Sequence, residues 1–62
     1  MEAAVLEELK IVKATLKKAG AEVPMEYLEK WSIRDRAYAE QWALGAAGVE
    51  MPEVVRPFLV AN

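Results

Sequence analysis

The chain contains neither cysteine nor histidine, and that double absence limits what its 62 residues can fold into. Chains of this length bury a modest share of their surface, and they usually need a staple: a disulfide, a structural metal or a second subunit. Without thiols no disulfide can form, and thiolate and imidazole metal sites are excluded. What remains is close helical packing, self-association, or both. A hydrophobic content of 55% favours association in so short a chain.

The stretch Trp31 to Ala47 supplies a centre for such packing. Ser32 stands before the periodic residues and Asp35 follows three positions later, a short-acid form of the capping box. The Ser32 hydroxyl is placed to accept from the Asp35 amide, and the Asp35 carboxylate to sit at the positive end of the helix dipole. At 3.6 residues per turn, Ile33, Ala37, Leu44 and Ala47 fall on one side, with Tyr38, Ala39, Trp42 and Ala46 roughly opposite. A surface helix needs one apolar stripe. Two stripes predict contact with the first helix on one side. The other side is left for the C-terminal tail or a second copy.

The first helix is expected over residues 2–19. Val5, Leu9, Val12, Leu16 and Ala19 recur at alternating spacings of four and three, the pattern of a bundle seam. Ala4, Ile11 and Thr15 widen that seam. Glu2, Glu7 and Glu8 occupy its first half, and Lys10, Lys13, Lys17 and Lys18 its second, as the dipole favours. Lys10, Lys13 and Lys17 share a face. No aromatic interleaves them, so a solvated face explains them more simply than a phosphate site does.

Gly20 fits a left-handed helix stop. Pro24 suits the first position of a short helix over 24–30, with Tyr27, Leu28 and Trp31 inward. The same punctuation returns after the central helix, expected over 33–47. Ala19-Gly20-Ala21-Glu22-Val23-Pro24 is matched by Ala47-Gly48-Val49-Glu50-Met51-Pro52, 28 residues on. The chain can thus be read as two degenerate units, each a helix, a glycine stop and a proline-started segment. The second short segment covers 52–60 and ends in the apolar run Phe58-Leu59-Val60. Such a tail docks on the Tyr38–Trp42 face or on a neighbour, and swapping it between copies is one route to a dimer.

Chemistry is sparse. The common general bases and nucleophiles are missing with histidine and cysteine. Ser32 is better explained as a cap, and no glycine-rich or acidic loop resembles a phosphate or calcium site. No catalytic residue, cofactor or metal ligand is expected, and the chain is read as a non-enzyme. A net charge of −2 argues against a dedicated nucleic-acid binder. Met1-Glu2 leads into a helix with early acids, which is not a secretory pattern, and no apolar run approaches a bilayer span. A soluble cytoplasmic protein is the expectation.

All five aromatics, Tyr27, Trp31, Tyr38, Trp42 and Phe58, lie after the first helix, as do Arg34, Arg36 and Arg56. Trp, Tyr and Arg dominate interface hot spots. The candidate contacts between copies are therefore Val5, Leu9, Val12, Leu16, Tyr38, Trp42, Phe58 and Leu59. Those for another partner are Trp31, Arg34, Arg36 and Arg56.

The run from Trp31 to Ala43 also resembles a segment of small uncharacterised bacteriophage proteins, W-[S/T]-x-x-x-R-x-x-A-x-x-W-A after a short V-P-x-x-x-L. Trp31, Ser32, Arg36, Ala39, Trp42 and Ala43 fit it, with Val23, Pro24 and Leu28 ahead of them. The resemblance implies a small phage-encoded accessory protein that binds a host or defence component. It brings no active site.

The expectation is therefore a single all-α domain over 1–62: a helical hairpin of two main helices with two short Pro-started segments, self-associating into a bundle. The expected function is a non-catalytic homo-oligomeric binding module acting on a host protein. One alternative is an oligomeric sponge for a nucleotide-like anion, held by Trp, Tyr, Arg and Lys between subunits. Another is a helix-turn-helix DNA-binding regulator, which the acidic charge disfavours.

Overall fold

The computed structural model describes residues 2–60. Its order is α1 (Ala3–Lys18), α2 (Met25–Lys30), α3 (Ile33–Ala43) and a 3₁₀ helix over Glu53–Phe58. The fold is mostly helical, with no strand among the described residues beyond one isolated antiparallel bridge between Ala21 and Leu59. Its radius of gyration is 11.0 Å, close to the ~10.5 Å of a compact chain this long.

One core draws on every element. Leu9, Val12 and Leu16 come from α1, Ala21 and Val23 from the turn, Leu28 from α2, Ala39 from α3 and Val55 from the 3₁₀ helix. Met25, Trp31, Trp42, Ala43, Met51, Val54 and Phe58 pack around these eight. α1 packs against both α2 and α3. α2 and the 3₁₀ helix thus contribute to the same core as the two main helices of the expected hairpin.

α1 stops in a Schellman turn. The Gly20 amide donates to Lys17 O (3.0 Å) and the Ala21 amide to Leu16 O (2.9 Å), with Gly20 at φ +93°. Ala21 and Leu16 are both fully buried, which supplies the apolar contact the motif favours. α3 stops the same way, but earlier than expected. The Gly45 amide donates to Trp42 O (3.0 Å) and the Ala46 amide to Gln41 O (3.1 Å), with Gly45 at φ +78°. The helix ends at Ala43, not at residue 47, because Gly45 already offers a left-handed stop. The two helix stops therefore lie 25 residues apart, Gly20 to Gly45, and not at the 28-residue offset of the repeated punctuation. Gly48 serves a separate turn, in which the Val49 amide donates to Ala46 O (3.3 Å).

Pro24 occupies the cap of α2 with an extended backbone, rather than its first helical position. Its carbonyl accepts from the Tyr27 and Leu28 amides (3.0 and 3.2 Å). Ser32 caps α3, its Oγ accepting from the Asp35 amide at 3.0 Å. The C-terminal tail pairs with the turn after α1 and not along the Tyr38–Trp42 face. The Glu22 amide donates to Phe58 O (2.9 Å) and the Val60 amide to Gly20 O (2.8 Å).

Candidate interaction surfaces

α3 turns one side to the core and leaves the other bare. Ala39, Trp42 and Ala43 form the inner side. Ile33, Ala37 and Leu44 lie within about 40° of one another on the outer side. Ile33 is 78% exposed and Leu44 66%. Tyr38, between the two sides, is 44% exposed. The indole of Trp42 carries more apolar area than Ile33 or Leu44, and Ala39 lets α3 lie close to α1. The side bearing them therefore wins the core.

This rotation reassigns the residues singled out as contacts between copies. Leu9, Val12 and Leu16 are buried in the chain's own core and offer no free surface. Trp42 is part-buried against that core. Phe58 stacks on Tyr27 and Trp31, with ring centroids 5.1 and 6.4 Å away. Val5, Tyr38 and Leu59 stay partly exposed. Ile33 and Leu44, the most exposed large apolar side chains, were outside the expected set. Their helical periodicity marked them as one face; only packing tells which face is left over.

The arginines divide three ways. One guanidinium nitrogen of Arg36, Nη1, donates to Leu28 O at 2.8 Å and to Trp31 O at 2.9 Å. Arg36 thereby caps the carbonyl end of α2 and fastens it to α3, so its donors on this edge are committed within the chain. Arg56 forms an exposed pair with Glu53 at 3.2 Å, of the kind that contributes little. Arg34 is exposed on α3 beside the outer face. Trp31 is part-buried under Phe58.

A second surface lies along α1. Lys10, Lys13, Ala14, Lys17 and Met25 line an open groove of about 370 Å³. It runs into a neighbouring concavity bordered by Lys13, Lys17, Glu22 and Pro24. The Lys13 ammonium donates to Val23 O at 3.2 Å, and Lys10 pairs loosely with Glu7 at 3.6 Å. Among the described residues, no cluster of carboxylates could hold a metal ion, and no helix is long and apolar enough to cross a membrane. A scan against protein-family models, a search of curated proteins and a search of solved structures each found no match.

Proposed function

We propose that this chain is a non-catalytic binding module that works as a homo-oligomer, with the outer face of α3 as the seam between copies. The supporting observation is the exposure of Ile33 and Leu44 on one line with Ala37 between them. An antiparallel pairing of α3 with its copy sets Ile33 of one chain near Leu44 of the other. The small Ala37 lies near the centre, where the two helices approach. A two-fold contact of this kind is self-complementary. Arg34 and Gln41 share one flank, so Arg34 of one chain would lie near Gln41 of the other, a polar rim beside an apolar centre.

The partner beyond the second copy is read as a protein rather than a reactive substrate, since the chain has neither histidine nor cysteine, and among the described residues no metal-binding cluster of carboxylates forms. The phage-like segment makes a host protein the expected class. Light scattering behind a sizing column, over a range of concentrations, tests self-association. A dimer or larger species at micromolar protein is expected, and a monomer throughout would refute the seam.

A further inference from the structure

We propose that the groove between α1 and the Pro24–Met25 edge of α2 receives an acidic amphipathic helix from another protein. Its carboxylates would meet Lys10, Lys13 and Lys17, and one apolar side chain would enter against Ala14 and Met25. This names the partner chemistry of the binding module, and it does not depend on self-association through α3.

The three lysines occupy about 60° of arc on α1, and Lys10 and Lys17 are about 10 Å apart along the axis. One phosphate cannot touch both ends of such a row. A second helix laid antiparallel, with acids at i, i+4 and i+7, mirrors that repeat and meets Lys17, Lys13 and Lys10 in turn. The floor is apolar. Ala14 lies beside the row, and Met25, half-buried with its other side on the core, is a flexible side chain that adapts to what enters. The Lys13 ammonium is held by Val23 O, which orients it and leaves two of its N–H donors for a guest. Lys10 has only the exposed Glu7 pair to exchange.

Nucleic acid fits less well. No aromatic ring and no arginine line the groove, so there is nothing on which bases could stack. Direction follows from the dipoles. Lys17 lies in the last turn of α1, at its negative end. A guest helix laid antiparallel brings its positive end there, and its acids are best tolerated at that end. Glu22, beside Lys17 and Pro24, repels carboxylates placed beyond the row.

The test uses fluorescence anisotropy with a labelled helical peptide bearing glutamates at i, i+4 and i+7 and a leucine between them. A control peptide of the same composition carries the leucine on the opposite face, and a single-stranded oligonucleotide of equal charge serves as competitor. Saturable binding is expected, weakened by salt, about tenfold weaker for the control peptide, and about tenfold weaker again for Lys17→Glu or Met25→Ser. Both side chains sit at or near the surface, and circular dichroism checks that each variant folds. Ile33→Ser should bind the peptide as the parent does. Absence of saturable binding, equal binding of both peptides, or equal competition by the oligonucleotide would each overturn the assignment. A monomer that still binds the peptide removes only the α3 seam. An oligomer that ignores it removes only the groove.

Discussion

Replacing Arg36 by methionine should cost the fold about 2 kcal/mol, because a guanidinium that sequence alone offers as a partner contact is committed to a neighbouring helix. α2 has six residues, far too few to be stable alone. Of its carbonyls near the C-terminal end, Tyr27 O accepts from the Trp31 amide. Leu28 O, together with Trp31 O just beyond the helix, depends on Arg36 Nη1, at 2.8 and 2.9 Å. Hydrogen bonds from a charged donor contribute about 1.5–3 kcal/mol each. Arg36 is only half-buried, so water replaces part of the loss and the pair together is assigned about 2 kcal/mol. A domain of this size has roughly 3–9 kcal/mol of total stability. The loss should appear as a fall of roughly 8–16 °C in Tm. Urea unfolding followed by circular dichroism measures it, with the slope unchanged if the unfolded state is the same. Arg36→Lys keeps the charge on a shorter reach and should recover part of the loss. If Arg36→Met unfolds within about 0.5 kcal/mol of the parent, the capping role is refuted. Arg36 would then return to the set of surface contacts.

Other perturbations separate local geometry from association. Gly45→Ala should lower stability by about 1–2 kcal/mol, although a Cβ there meets no atom within 4 Å, because φ of +78° is strained for any L side chain. A neutral or stabilising result in thermal melts would mean that α3 does not end at Gly45. The double substitution Ile33→Ser and Leu44→Ser removes apolar area only from the outer face, so monomer stability should change by less than about 0.5 kcal/mol while the solution mass falls to that of one chain. An unchanged oligomer would place the seam elsewhere.

Local chemistry was the legible part of this sequence. The mostly helical character follows from the seam of α1 and the periodicity of α3, and the Ser32 cap follows from its spacing to Asp35. Gly20 and the prolines mark breaks whose physics is contained within a few residues. What sequence left open were choices between equivalent local options. Both Gly45 and Gly48 can adopt a left-handed conformation, and the helix takes the first one it meets. Both faces of α3 carry apolar residues, and the outcome turned on side-chain area and close approach across the core, which are properties of three helices together. Arg36 carries no local sign that it reaches back to Leu28 and Trp31. The pairing of Glu22 with Phe58 joins distant segments and has no periodicity to announce it. Of the residues proposed as contacts, the exposed ones could be placed only after the core had claimed its own.

The bridge between Ala21 and Leu59 is expected to divide the molecule into two tiers of stability. Once α1, α2 and α3 have packed, the chain from Ala43 to Leu59 must still close back on the turn after α1. Closing a segment of about 16 residues costs on the order of 2–3 kcal/mol in chain entropy. Burial of Val55 and the partial cover of Met51, Val54 and Phe58 must offset it. The tail is therefore expected to open as a separate unit, at a lower free energy than the helices beneath it. Hydrogen exchange should register this: the amides of Glu22 and Val60, bonded across the bridge, should lose protection before that of Leu16 inside α1. Equal protection at all three would make the chain a single cooperative unit. Each such opening would uncover Tyr27 and Trp31 where Phe58 rests, presenting a transient aromatic surface while α1, α2 and α3 stay folded.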